Sequence, residues 1–387
     1  MTDRLPDAKP GGQGTPAPDV WQDAGLYDPN APDAGERLAL LRFLSEHGAS
    51  LEEMSSADQR GRLFALAGDR VVRPDPDAHS LAEVAETLDL DIFVVLRAWR
   101  AFGLADTAAD AKVASPADLE VFGIYRSVLE LVGEDAALGM CRVIGSAAGR
   151  VAEAESSAVR LTLPEINVSR TQSELVTAQA WAGVARLVPD VGRVLDVIHR
   201  HHVELVRRHF EEILVPTSLD DVGLRLGVGF ADLSGFTELS RRLPLGGLSR
   251  VLSAFEASAA EAVQDGGGRV VKFIGDAVMF VSPTAARLAA IAVALVHHPR
   301  ARDAGLPVRA GCAFGPVLAQ EGDYFGPTVN LAARLTAIAG PGIVLVNDEL
   351  TVALSRADWT IRPRPPQTVR GFTEPVSSFE ISPLAGP

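Results

Sequence analysis

The hydrophobic period changes at Pro216, and that change limits the chain to two unlike domains. Between residues 37 and 190, apolar residues recur every three or four positions in RLALLRFLSEHG, SLEEMSSADQRGRLFALAG and SLAEVAETLDLDIFVVLRAWRAFG. This is the spacing of helices that bury one face. Ser50 and Ser80 stand where N-caps belong, each followed three residues later by a glutamate, Glu53 and Glu83, the pattern of a capping box. VGRVLDVIHRHHVELVRRHFEEI continues as a helix to Pro216. After that proline, strands alternate with helices: GLRLGVGFADL, then a helix to the glycines at 266–268, a hairpin, a helix over 284–298, two strands around Gly315-Pro316, a helix from Pro327, and strands GIVLVN and VSSFEI.

The expected organisation is therefore an α+β fold preceded by an all-α region. Residues 1–36 form a disordered tail, 37–190 a helical domain, 191–216 a linker helix and 217–387 the α+β domain. The tail assignment rests on composition: six prolines, seven acids, two bases and few large apolar residues. Such a stretch buries too little surface to offset its ordering entropy.

Several function classes are disfavoured at once. A net charge of −14 opposes general binding to a phosphate backbone, which needs a basic surface. Cys141 and Cys312 are the two cysteines and make neither a disulfide framework nor metal-ligand spacing. The longest apolar run, LAAIAVALV at 288–296, is too short for a membrane helix. No signal-peptide pattern opens the chain, so a cytoplasmic location without an integral membrane segment is expected. Residues 80–104 have the outline of a DNA-reading helix-turn-helix, but their second helix is mostly apolar and offers base edges little beyond Arg97 and Arg100. Packing is the better reading, and no nucleic-acid partner is expected.

Chemistry concentrates in the second domain. Asp232 ends a strand and is followed by Ser234, Gly235, Phe236 and Thr237 at the entry to a helix. Backbone amides at such a turn suit an anion, and a carboxylate beside a phosphate site suits a divalent metal. Asp276, on the turn of the hairpin GGGRVVKFIGDAVMF, could supply a second carboxylate. Lys272 donates only and Asp323 accepts only, which matches adenine N1 and N6 and mismatches guanine. Asn330 and Arg334 lie four apart on one helical face and suit a ribose and a phosphate. Taken singly, each residue is equally a cap, a turn acid or an exposed polar side chain.

The blocks GFADLSGFTELS, GGGRVVKFIGDAVMF, GDYFGPTVNLAARL and VRGFTEPVSSFEI, in this order, resemble the catalytic domain of class III nucleotide cyclases over about 217–387. The resemblance implies a ferredoxin-like α+β domain that turns ATP into 3′,5′-cyclic AMP and pyrophosphate. It implies two divalent metal ions, Mg²⁺ or Mn²⁺, at Asp232, Leu233 and Asp276. Lys272 and Asp323 would select adenine, Ser234 to Thr237 would lie at the triphosphate, Asn330 would position the ribose, and Arg334 would stabilise charge on the reacting phosphate. Arg370 stands where the family usually has a lysine near the terminal phosphates. In that family a head-to-tail pair of domains builds each site, so a chain with both halves implies a homodimer with two composite sites. Lys272 and Asp276 would then serve different sites. The helical half resembles the regulatory region of some actinobacterial cyclases. A silent nucleotide sensor and a DNA-binding regulator are the alternatives. A diguanylate cyclase is disfavoured, because the hairpin reads Ile274-Gly275-Asp276-Ala277-Val278 and lacks the Gly-Gly-Asp/Glu-Glu-Phe turn.

Overall fold

The computed structural model of the protein describes residues 16–75, 77–213, 224–298, 307–368 and 375–384. The chain divides into two compact units, residues 1–200 and 201–387. The division falls inside one continuous helix.

The first unit is built from helices α1 (Pro18–Asp23), α2 (Ala34–Glu46), α3 (Leu51–Gln59), α4 (Leu66–Val72), α5 (Leu81–Thr87), α6 (Ile92–Ala101), α7 (Pro116–Val132), α8 (Glu134–Thr162), α9 (Val168–Thr171) and α10 (Glu174–Ala185). Helix α11 (Val188–Ile213) runs out of it. One short ribbon joins β1 (His79–Ser80) to β2 (Lys112–Ala114). Both expected capping boxes are present, Ser50 with Glu53 and Ser80 with Glu83. A third forms at Ser115 and Asp118. The unit has two apolar clusters. In one, Leu40, Leu41 and Leu44 of α2 meet Met54, Ala178 and Trp21. In the other, Val95 and Trp99 of α6 meet Phe122 and Tyr125 of α7. The solvent face of α6 carries Phe93, Arg97 and Arg100, with Arg97 paired to Glu134 and Arg100 to Asp106.

The expected tail over 1–36 is corrected for its second half. Trp21 in α1 is fully buried and Leu26 nearly so. One large indole buries enough surface to anchor a segment whose mean composition reads as disordered. Residues 1–15 lie outside the described residues.

The second unit is a three-layer arrangement around a sheet of order β4-β5-β3-β6-β8-β10-β9, with β7 paired to β6. The strands are β3 (Leu224–Leu233), β4 (Arg269–Ile274), β5 (Ala277–Ser282), β6 (Val308–Gln320), β7 (Asp323–Phe325), β8 (Val344–Val346), β9 (Trp359–Gln367) and β10 (Val376–Pro383). The helices are α12 (Phe236–Ser240), α13 (Leu245–Asp265), α14 (Ala285–His297), α15 (Pro327–Ile338) and α16 (Asp348–Ala353). From β3 to β6 the chain runs β-α-β-β-α-β, the split βαβ of ferredoxin-like folds. Alternation along β5 sorts the core. Val278 and Phe280 join Phe255 of α13 and Leu288 of α14, whereas Met279 and Val281 join Tyr324 and Ala332.

Two strand assignments differ from the sequence reading. Residues 308–320 form one strand rather than two around Gly315-Pro316. Pro316 remains in register with Arg225 of β3, and its carbonyl accepts from Thr328 Oγ1 at 2.7 Å. Strand β9 is absent from the sequence reading, and WTIRPRPPQ carries three prolines. It lies at the sheet edge, where missing N–H donors are tolerated.

Candidate functional site

The two aspartates on adjacent strand ends lie together. Asp232, next to last in β3, is in register with Ala277 of β5 and Arg309 of β6. Asp276 occupies the β4–β5 turn, where Gly275 takes a φ of 62° that favours glycine. Leu233 N donates to Asp276 O at 3.1 Å, fixing the turn against β3. Burial, and then the Asp232 carboxylate hydrogen-bonded beside it, hold the Asp276 carboxyl above the ordinary aspartate value. Arg309 offsets the charge from the other side. Its Nε and Nη2 donate to Asp232 Oδ2 at 3.0 and 2.5 Å, and its Nη1 reaches Ala337 O of α15 at 3.3 Å.

Oxygen donors dominate this corner. Ser234 Oγ is buried without a hydrogen-bond partner among the described residues. A paired set of carboxylates, one disfavoured as an anion, together with an orphaned hydroxyl, fits a hard divalent cation. Leu233 is buried in the core, so only its backbone could contribute. No cluster of three or more His, Cys, Asp or Glu suited to a metal occurs among the described residues.

The amide nest is narrower than its sequence suggests. Ser234 N already donates to Pro307 O at 2.8 Å. Phe236 and Thr237, at the first turn of α12, have amides with no partner inside the helix. The Phe236 side chain packs on the core beside α13 and α14, while Gly235, at φ 83°, is exposed.

Lys272 of β4 and Asp323 of β7 form an ion pair, although 51 residues separate them. Two local devices bring them together. Glu321 and Gly322, with φ of 51° and 78°, make the two-residue loop that turns β6 into β7, and Gln320 pairs with Asp323 across it. In β4 the register slips between Val270 and Lys272. Val270 and Phe273 both pack toward α13 and α14, while Val271 packs on the opposite face. Strict alternation would put Lys272 on the side of Val270. The bulge re-aims it toward Asp323. Asp323 Oδ1 also accepts from Tyr324 N at 2.9 Å.

Asn330 and Arg334 are exposed on α15. Neither side chain has a hydrogen-bond partner among the described residues, and none joins Lys272 or Asp323 to Asp232 or Asp276. One chain therefore displays the expected residues as separate groups. Arg370 lies outside the described residues. Arg309 escaped the sequence reading. Its signal was weak: a single arginine in an apolar strand, PVRAGCAF, whose partner is 77 residues away.

These features define a nucleotide cyclase fold joined to a helical region. Residues 24–208 match the adenylate cyclase regulatory domain, and residues 220–382 match the adenylate and guanylate cyclase catalytic domain. The chain belongs to the class III adenylate cyclases, in the actinobacterial form with an N-terminal regulatory domain. It is 44% identical over 363 residues to an uncharacterized protein of Mycobacterium tuberculosis, covering 94% of this chain and 93% of the relative. It is 35% identical over 280 residues to an adenylate cyclase of Streptomyces coelicolor, covering 71% of each. Among solved structures, the adenylyl cyclase CyaB of P. aeruginosa aligns at 24% identity over 41% of this chain and 93% of its own, with a TM-score of 0.38. No helix among the described residues is long and apolar enough to cross a membrane.

Proposed function

We propose that the protein converts ATP to 3′,5′-cyclic AMP and pyrophosphate at two equivalent sites of a homodimer, under control of its N-terminal helical unit. The observation that carries base choice is the Lys272–Asp323 pair, a donor-only and an acceptor-only group held side by side. Lys272 donates to adenine N1, and Asp323 accepts from the N6 amine. Guanine presents a donor and an acceptor at the same places, so both groups would be left unsatisfied.

Asp232, Asp276 and the Leu233 backbone would hold the divalent ions. When bound, these ions lower the pKa of the ribose 3′-hydroxyl and offset charge on the departing pyrophosphate. Asn330 and Arg334, exposed on their own chain, reach the site whose aspartates belong to the second copy. Asn330 orients the ribose so that its 3′-oxygen is in line with the α-phosphorus. The new O–P bond forms as the bond to the bridging oxygen of pyrophosphate breaks, and the hydroxyl proton leaves to solvent. Arg334 stabilises the charge that builds on the α-phosphate. The first-turn amides of Phe236 and Thr237 face the triphosphate, and the family resemblance gives Arg370 a role toward its far end. Arg309, which balances Asp232, would supply a positive charge beside the phosphates where Asp232 and Asp276 hold the divalent ions.

The test is Lys272→Glu combined with Asp323→Cys. Each mismatched group costs about 1–3 kcal/mol once the base covers it, so ATP cyclisation should fall by about a hundredfold or more. Unchanged ATP turnover in a folded double variant would remove these residues from the base site. A wild-type chain inert with both Mg²⁺ and Mn²⁺ would favour the silent sensor.

A further inference from the structure

A second cross-strand couple lies beside the base-reading pair. Arg269, three residues before Lys272 in β4, donates from Nη2 to Tyr324 OH at 2.9 Å. Its guanidinium carbon sits 5.5 Å from the centre of the Tyr324 ring. Tyr324 follows Asp323 in β7 and is 5% exposed, fixed by the core it shares with Met279 and Val281.

Backbone hydrogen bonds tie β4 to β5 and β7 to β6, and no ladder among the described residues joins β4 to β7. Their side chains bridge that gap twice, through Lys272–Asp323 and Arg269–Tyr324. The first bridge is the one a base draws on. When Lys272 donates to the ring and Asp323 accepts from the amine, the hydrogen bonds of the pair are divided between the base and each other. The ion pair alone then holds its strands less firmly, and the bulge at Val271 interrupts the β4–β5 ladder immediately before Lys272. The second bridge does not change partners. It combines a hydrogen bond with a cation–π contact on a buried ring, both favourable in half-buried surroundings.

We infer that Arg269 and Tyr324 are positioning residues for base selection: they hold β4 and β7 in register while Lys272 and Asp323 engage the base. This rests on the adenine reading given above. It predicts a loss of selectivity, with nucleotide still bound and the fold intact, because the groups that touch the base remain present and only their spacing loosens.

The experiment measures binding without turnover. 3′-Deoxy-ATP and 3′-deoxy-GTP, which have no hydroxyl to cyclise, compete with a fluorescent nucleotide on the full-length protein with Mn²⁺. The chains compared are wild type, Arg269→Lys, Tyr324→Phe, the double variant, and Lys272→Ala as a control. Tyr324→Phe keeps the ring and its packing and loses only the hydroxyl. Arg269→Lys keeps the charge and loses the planar fork. The adenine-over-guanine ratio should fall about five- to tenfold in each single variant, the loss of one hydrogen bond. The double variant should fall no further than the worse single, since both substitutions break one bridge. The deoxy-ATP analogue should weaken while the affinity for inorganic pyrophosphate stays unchanged. If Lys272→Ala relaxes the ratio and both single variants keep it, the clamp is refuted and the adenine reading stands. If Lys272→Ala leaves the ratio unchanged, the adenine reading fails and the clamp with it. Equal losses for pyrophosphate and the adenine analogue, or additive losses in the double variant, would show a general weakening of the fold and refute the inference.

Discussion

Gly311 of β6 is the point where a sheet and a helix touch backbone to backbone. A Cβ added there would stand 2.1 Å from Thr336 N, 2.6 Å from Leu335 C and 2.7 Å from Ala332 O, all in α15. Relieving the closest of these to an ordinary contact of about 3.4 Å requires the helix to back away by about 1.3 Å. No side-chain rotation can absorb that, because the obstacle is backbone. Helix α15 carries Asn330 and Arg334, and its Ala337 carbonyl accepts from Arg309, so the displacement reaches the residues to which the ribose and phosphate contacts are proposed to belong. A misplacement of about 1 Å in a reacting geometry costs about a hundredfold in rate, and overpacking of this kind costs about 1–3 kcal/mol in stability. Gly311→Ala should therefore lower kcat/KM for ATP by about two orders of magnitude while the protein still melts cooperatively, with a Tm lower by several degrees. Coupled assay of pyrophosphate release and a thermal melt on the same preparation give both numbers. A variant with native Tm and native kcat/KM would show that α15 is free to shift and does not set the position of these two residues.

Asp232→Ala and Lys272→Ala chains should each be nearly inactive alone and recover about a quarter of wild-type activity per chain when refolded together, because about half of random dimers are mixed and each has one intact site; confirmed mixed dimers without activity would place both residues in one site. The raised carboxyl of Asp276 predicts a pH effect on the metal-free protein. A carboxyl held above its unfolded value binds its proton more tightly in the folded chain, so its contribution is complete below the unfolded value and is lost as pH rises through the folded one. Asp276→Asn should then raise the neutral-pH Tm in chelator by a few degrees, a gain that shrinks on acidification, whereas a lower Tm at neutral pH would contradict the burial described. Trp21→Ala should destabilise the helical unit by about 3–5 kcal/mol, read by far-UV melting of full-length protein; a melt indistinguishable from wild type would return this segment to the category of a loose tail.

Local patterns were the most legible in the sequence. The hairpin with its Gly275-Asp276 turn, the two serine capping boxes and the helical spacing of Asn330 and Arg334 each depend on residues within four positions of one another. What stayed hidden depends on distance or on balance. The slip in β4 at Val271 cannot be read from RVVKFI, because the run is apolar on both sides and alternation gives no phase. Arg309 gains its meaning from Asp232 on a neighbouring strand. Tyr324 reads as an ordinary core aromatic until Arg269 is placed above it. Trp21 was outweighed by the prolines and acids around it, although one buried ring outranks them all. The prolines of β9 hide the strand in the sequence, since proline is unfavourable in the middle of a sheet and tolerated at its edge.

Those prolines also bear on how the protein behaves at high concentration. Pro363, Pro365 and Pro366 lie in β9 at one border of the sheet and offer no N–H there, so an unfolded chain finds little to extend. At the other border, β4 has no proline. It presents a half-exposed Ile274, with Lys272 two residues before it and Asp276 two after it, and a lysine on a border strand is a common deterrent to strand addition. Lys272, on this border strand, is a residue of the kind that deters strand addition, independently of any role toward a nucleotide. Replacing it with an apolar residue would leave the sheet open to recruitment on that side alone, and the resulting loss of soluble protein would grow with concentration where a purely catalytic defect would not.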